Sequence, residues 1–502
     1  MQQQALNPEQ MTDEPMSETV QDATPSSVNQ TPEQISQTLQ SCLTMQKKSA
    51  QADGIEPLEV RRKHLENLKR MLIENKDEII EAINKDYGNR SYHETMIAEV
   101  LTVSDDISST IKHVKKWMKV QHRSVDQTMY FGAKNRVIPQ PLGVVGLIIP
   151  WNFPLNLSFS GLSAAFAAGN RAMVKLSENS LHFTDVMIKL APDYFPKEKL
   201  QFFKETGGVG IEFSKLQFDH LMFTGSGETG RKVMASAAKN LTPVTLELGG
   251  KSPAVIDPEF SLSKAVERLM FVKQFNAGQI CTCVDYVFVH QDQLDKFISA
   301  VQTWTKKHCP DIHSKDYTSI IDDKSFQRLQ DTLEDASAKG ANIIQLQPQD
   351  ADPSSRKMPL YLVLDTTPEM IITQRETFGP LLMVKTYKNP EDVAEYVNAH
   401  DTPLAFYPFS NNKDLVNFYL DNIMSGGVSV NDALFHVGQH NLPFGGVGPS
   451  GMGHYHGYEG FLTFSKLRPV FYQAKISSMK FLAPPYGKTA NKILGFMMKL
   501  KG

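Results

Sequence analysis

Leu221-Met222-Phe223-Thr224 followed by Gly225-Ser226-Gly227-Glu228-Thr229-Gly230 joins a short apolar run to a glycine-rich turn and then to a helical pattern beginning near Glu228. An apolar strand that turns directly into a helix is a building unit of parallel α/β sheets. Glycines let the backbone approach a pyrophosphate, and the unpaired N–H groups opening the helix supply donors for it. Turn glycines between a strand and a helix are common in proteins that bind no nucleotide, so the motif alone leaves both readings open. Counting about twenty residues on from the turn, to the acid that generally meets a ribose, reaches Glu247.

The flanking sequence repeats the same alternation. Residues 144–149 read as a buried strand, 162–168 as a helix, 172–175 as a strand, and 244–248 and 254–257 as further strands. Short apolar runs separated by helices predict parallel sheets covered on both faces. A second α/β set runs from about 262 to 430 without an internal repeat, and Gly249-Gly250 suits a bend between two lobes. Upstream, Thr31 before Pro32 forms a helix start, with Ile35, Leu39 and Leu43 at helical spacing. A second long helical pattern carries Leu65, Leu68 and Leu72 on through Ile79, Ile80 and Ile83. Residues 1–30, rich in Gln, Ser, Thr, Pro and acids with no aromatic, have the composition of a disordered tail.

The bulk composition excludes some classes. A formal net charge of -3 gives no sign of the basic surface that nucleic acid requires. Lys112, Lys115, Lys116, Lys119 and Arg123 recur near helical spacing around Val114 and Trp117, the pattern of the wet side of an amphipathic helix. Four cysteines in 502 residues argue against a disulfide framework and for a reducing, cytoplasmic setting. No Lys or Arg precedes Lys47, so a basic leader is not expected, and no apolar run approaches the roughly 18 residues of a membrane span.

Several residues could carry chemistry, each with a plainer alternative. Cys281 ends Asn276-Ala277-Gly278-Gln279-Ile280-Cys281 ahead of a strand-like run. It is either a reactive thiolate or a small buried hydrophobe, and the inert reading covers Cys42, Cys283 and Cys309. Cys281 and Cys283 lack a second Cys/His pair, so no metal site is expected. Asn152, after Pro150-Trp151, lies where a strand-end loop could meet a ligand, or is a turn asparagine. Glu376, before Phe378-Gly379-Pro380, and Lys175, Ser177 and Glu178 are equally consistent with solvated positions.

Together these segments resemble the aldehyde dehydrogenase superfamily. The resemblance rests on seven blocks in order: 150–154, 175–178, the glycine turn, 246–253, 276–281, 376–380 and 442–446. Pro403-Leu404-Ala405-Phe406-Tyr407, Asn431-Asp432, residues 448–453, His456-Gly457, Phe461 and Pro484-Pro485-Tyr486 resemble the class 3 branch, most of all coniferyl aldehyde dehydrogenases. Gly227, where many relatives have Thr, and Leu176, where class 3 relatives often have Pro, depart from the pattern without removing a reacting group.

The resemblance implies two doubly wound α/β domains, one cofactor-binding (31–249, with an oligomerisation hairpin at about 124–142) and one catalytic (250–452), then an oligomerisation strand and tail (453–502). It implies Cys281 as nucleophile, Glu247 as general base, and Asn152 with the Cys281 N–H as oxyanion donors. Lys175 and Glu178 would hold the adenosine ribose, Ser226 the pyrophosphate and Glu376 the nicotinamide ribose. Trp151, Ser177, Gly225, Gly227, Gly230 and Phe378 complete the cofactor set. Glu247 thereby passes from a ribose ligand to a base. The expected cofactor is NAD, with NADP possible, since Glu178 would repel a 2'-phosphate. The expected partner is a small aldehyde in a homodimeric enzyme, with cinnamyl-type aldehydes first and medium or long-chain aliphatic ones second. Glu247 argues against release of the thioester to CoA, and the retained reacting groups argue against a non-catalytic homologue. The apolar residues among Lys492, Lys499 and Lys501 would pack on protein, or less simply touch lipid.

Overall fold

The computed structural model describes residues 31–475 and 477–501; the expected tail, 1–30, lies outside them. The first helix, Pro32–Asp53, starts as the sequence predicts: Thr31 Oγ1 accepts from the Gln34 N–H and the Gln34 side chain accepts from the Thr31 N–H. Ile35, Leu39 and Leu43 are buried against Phe213, Phe218 and Leu221.

The second helical pattern is two helices rather than one, Leu58–Glu74 and Lys76–Tyr87. Asn75 breaks it because its amide turns back on the backbone, donating to the Met71 carbonyl at 2.9 Å and to the Tyr194 hydroxyl at 2.9 Å. The basic stretch also divides. Thr102–Trp117 is a helix that buries Val114 and Trp117 and exposes Lys112, Lys115 and Lys116, whereas Arg123 belongs to the strand Gln121–Arg123.

A six-stranded sheet follows the spatial order Gly451–Met452, Val244–Glu247, His220–Thr224, Val144–Ile148, Arg171–Lys175, Leu200–Phe203. Its pairs are parallel except at Gly451–Met452, where the chain returns from the second half to cap the edge. The helix Pro154–Ala168, buried at every position but Asn156, lies between this sheet and the helices Leu58–Glu74 and Thr102–Trp117. Pro32–Asp53, Val209–Ser214 and Gly227–Ala238 contribute to the cluster containing Val144, Met173 and Leu221. The first strand, Val144–Ile148, has Arg171–Lys175 on one side and His220–Thr224 on the other. The order reverses there, which opens a crevice at the carboxyl ends of the strands.

The second sheet has seven strands, in the order Asn342–Gln345, Tyr361–Leu364, Leu381–Tyr387, Val284–His290, Ser252–Ile256, Ala405–Phe409, Gly427–Val428. Only the first pair is antiparallel. A third, antiparallel sheet joins Gln121–Arg123, Lys134–Pro141 and Ser465–Tyr472. Leu68, fully buried against the Pro154–Ala168 layer, tests this packing. Leu68→Ala is expected to cost about 2–5 kcal/mol, read as a lower thermal midpoint with the fold retained; an unchanged midpoint would contradict the packing.

Candidate active site

The segments singled out in sequence come together where the two large sheets meet. Trp151 and Asn152 follow the strand Val144–Ile148, and Pro154 then starts a helix. Asn152 is buried; its carbonyl accepts from the Tyr87 hydroxyl at 3.0 Å, and its Nδ2 lies 3.3 Å from the Gln279 carbonyl. The amide of Asn152 is therefore tied to the turn that delivers Cys281.

That turn is unusual backbone. Asn276 and Ala277 adopt left-handed φ values of 52° and 51°, and Gly278 follows at 71°. A Cβ at Gly278 would collide with the Gly379 carbonyl, so glycine is required there. Side chains that the sequence analysis did not flag hold the turn. Glu94, fully enclosed, accepts from the Asn276 N–H at 3.0 Å, the Thr318 hydroxyl at 2.6 Å and the Gln274 amide at 3.2 Å. Gln279 donates to the Asn276 carbonyl at 2.9 Å and to Ser319 at 3.1 Å, and accepts from the Ile321 N–H at 3.0 Å. The only local trace of Glu94 and Glu99 was a pair of acids in an otherwise amphipathic segment.

Cys281 borders a cavity of about 210 Å3 walled by Phe153, Phe271, Phe275, Leu434, Phe435 and Phe444. Burial pushes its thiol up to about 12, and the Glu376 and Glu247 carboxylates push the same way; the N–H groups of Cys281 and Thr282 act in opposition. Glu247 ends the strand Val244–Glu247, is 2 % exposed, and neither carboxyl oxygen has a hydrogen-bond partner. Burial holds that carboxyl well above the usual carboxylate range. Twenty-residue spacing from the glycine turn therefore reaches an acid whose charge is felt by the Cys281 thiol, while the cleft beside the turn is lined by other residues.

That cleft, about 330 Å3, lies between Ser226-Gly227 and Glu376 and includes Gly249, Gly250 and Lys251. Ser226 caps the helix Gly227–Ala238. Gly225 and Gly230 are packing glycines: added Cβ atoms would press on Phe223 at 2.6 Å and Leu248 at 2.7 Å. Gly227 meets only the Arg231 guanidinium, at 3.5 Å, leaving the turn open to a ligand. Glu376 lies against Gly249 and accepts the Gly250 N–H; burial, then Asp285, pushes its carboxyl up to about 8. Asp285 fixes the segment from behind, accepting from the Thr377 N–H at 2.8 Å and hydroxyl at 2.6 Å and pairing with Lys251.

Trp151 packs edge-on against Phe378 with ring centroids 5.5 Å apart, joining the loops of the two sheets. At the end of Arg171–Lys175, Lys175 pairs with Glu205 at 2.7 Å and reaches Glu178 at 4.0 Å. Ser177 Oγ donates to Glu178 at 3.2 Å and accepts from the Asn179 N–H.

Residues 10–470 match the aldehyde dehydrogenase family. The chain is 43% identical over 431 residues to the probable coniferyl aldehyde dehydrogenase of Pseudomonas aeruginosa, covering 86% of this chain and 90% of that protein. It is 39% identical over 465 residues to the coniferyl aldehyde dehydrogenase of Pseudomonas sp. strain HR199, covering 92% and 96%. Among solved structures, the substrate-bound state of Staphylococcus aureus AldH superimposes with a TM-score of 0.86 at 30% identity, covering 91% of this chain and 99% of that one. With a matching sequence over nearly its whole described length and the same fold, the chain belongs to the aldehyde dehydrogenase family, oxidoreductases that convert an aldehyde to an acid with NAD(P).

Proposed function

We propose that this enzyme oxidises a cinnamyl-type aromatic aldehyde, such as coniferyl aldehyde, to its carboxylic acid through a thioester on Cys281. The observation that carries the reading is Glu247: a buried carboxyl without a hydrogen-bond partner, electrostatically coupled to Cys281, which opens onto an aromatic-walled cavity. A buried acid left unpaired is costly, and such sites are where function is concentrated.

The Cys281 sulfur bonds to the carbonyl carbon, and the charge that develops on oxygen is met by Asn152 Nδ2 and the Cys281 N–H. A bound oxidised nicotinamide dinucleotide supplies the acceptor for the hydride that leaves this carbon. Glu247 then takes a proton from water as its oxygen bonds to the thioester carbon, and the carbon–sulfur bond breaks to free the thiolate and the acid. The open turn at Gly227, Ser226 and Glu376 fit a dinucleotide along the 330 Å3 cleft, and Trp151 and Phe378, packed on each other, would complete its hold. Lys175, Ser177 and Glu178 would hold the adenosine ribose, with NAD the preferred nucleotide.

The aromatic lining of the Cys281 cavity supports a conjugated ring as substrate, since aromatic side chains pack favourably edge-to-face on such rings. The lobe division near Gly249-Gly250 assigns the six-stranded sheet to the cofactor and the seven-stranded one to the nucleophile. The free edge of Ser465–Tyr472, with Leu467, Phe471 and Tyr472 exposed, supports a homodimer formed through the third sheet. Four free cysteines are consistent with a reducing compartment, and no described helix is long and apolar enough to cross a membrane.

With coniferyl aldehyde and NAD, Cys281→Ala is expected to form no NADH. Glu247→Gln should keep a single-turnover burst while its steady-state rate falls by roughly two to three orders of magnitude. Equal loss of burst and steady state would remove Glu247 from deacylation, and a rate that depends on added CoA would make a thiol the acceptor instead of water. The raised thiol gives a pH prediction: ionisation is deferred to high pH, so alkylation of Cys281 in the nucleotide-free protein should keep rising through pH 9 and 10. An exposed thiol is half-ionised at about pH 8.5 and levels off by about pH 10. Mass spectrometry of the labelled protein measures this, and a plateau reached by about pH 10 contradicts the burial effect.

A further inference from the structure

Lys175, at the end of its strand, is almost enclosed, with 8% of its side chain exposed, and its ammonium is already paired. Glu205 approaches to 2.7 Å and is itself only 14% exposed. This carboxylate is fixed before it meets the lysine, accepting the N–H groups of Gly207 at 3.0 Å, Val209 at 2.9 Å and Gly210 at 2.9 Å. A Cβ at Gly210 would lie 3.3 Å from Lys175 Nζ, so that glycine leaves room for the pair. Burial raises the Glu205 carboxyl, but the bond to Lys175, its charge and the Gly210 and Val209 N–H groups together outweigh it and hold the group below the usual carboxylate range. Glu178, 4.0 Å from the same ammonium, adds a second carboxylate.

We infer that Glu205 is a cofactor-selectivity residue: by holding Lys175 it removes the positive charge that a 2'-phosphate would need, so that the site takes dinucleotides with a free 2'-hydroxyl. The inference rests on the reading of this crevice as the dinucleotide site. Two carboxylates on one ammonium leave the cluster with a net negative charge, and a phosphate brought to it meets repulsion. Glu205 outweighs Glu178 in this because Glu178 is 69% exposed and screened by water and salt, whereas Glu205 is enclosed and held by three amides. Of the neighbouring cations, Lys204 is bound to Asp185 at 2.7 Å, and Arg231 lies over Gly227 at the glycine turn.

Fluorescence titration with NADH and NADPH measures the effect without turnover. The wild type is expected to bind NADH at least about tenfold more tightly than NADPH, and Glu205→Gln to strengthen NADPH binding by about tenfold while NADH changes less than about threefold. Adding Lys175→Gln to Glu205→Gln should cancel the NADPH gain, because the gain depends on the freed ammonium. Unchanged NADPH affinity in Glu205→Gln, or a gain that survives loss of Lys175, overturns the inference. If Glu205→Gln does not fold, competition on the wild type decides: 2'-AMP should displace NADH at least about tenfold less well than 5'-AMP, and equal displacement overturns the proposal. A wild type that binds neither NADH nor NADPH removes the dinucleotide reading together with the inference, whereas failure of selectivity alone leaves NADH binding intact.

Discussion

The left-handed turn Asn276–Gly278 is the constraint on which the site depends. Three consecutive positive φ values are tolerated only where surrounding contacts over-determine them. Here the contacts come from separate parts of the chain. Glu94 holds the Asn276 N–H, Ser319 and Ile321 hold Gln279, and Gly379 leaves no room for a side chain at Gly278. The same turn receives Asn152 from the other sheet through the Gln279 carbonyl. One strained segment thus sets the Cys281 sulfur and the Asn152 amide relative to each other, which under the proposed roles is the condition for a reaction whose rate depends on fixed donors.

Around that turn the interior is acidic. Glu94 is pushed up to about 7 by burial, yet three hydrogen-bond donors satisfy it, and Glu99 is bound by Arg90 at 2.8 Å. Asp285 is enclosed too, but Lys251 and Lys273 outweigh burial and hold it below the usual range. Glu247 differs from all three in having nothing beside its oxygens. Buried acids that position backbone are saturated with partners, and the one proposed to do chemistry is not, so satisfaction rather than burial separates scaffold from reactant.

Much of this organisation was legible locally. The capping box at Thr31, the parallel strands around the glycine turn and the apolar helix faces depend on periods of two and 3.6 residues, which a sequence displays directly. Asn75 was not legible as a break, because the Met71 and Tyr194 groups that satisfy its amide are placed by folding. Tyr87, Glu94, Gln279 and Glu205 escaped for the same reason. They act through partners between two and 224 residues away, and of the four only Gln279 lies within a quoted block, where nothing local shows that its side chain ties the turn to Ser319 and Ile321. Glu247 shows the converse: the spacing rule reaches the residue and offers it to a ribose, yet its carboxyl is coupled to Cys281 and does not line the cleft beside the glycine turn, since spacing along a strand does not tell which crevice its end faces.

The Glu247 and Glu376 carboxylates both disfavour negative charge on the Cys281 sulfur, and a charge–charge interaction acts equally on each of its partners. Such groups titrate together, and ionising one raises the cost of ionising the next. Under the proposed roles this coupling orders the reaction. While the thiolate carries the charge, Glu247 is driven toward its neutral form and does not compete for water. Acylation converts the sulfur into an uncharged thioester, which lifts the repulsion on Glu247 and makes its carboxylate easier to form. The base thus becomes effective when there is a thioester to hydrolyse, and the burial that weakens both groups in isolation keeps their activities separate in time.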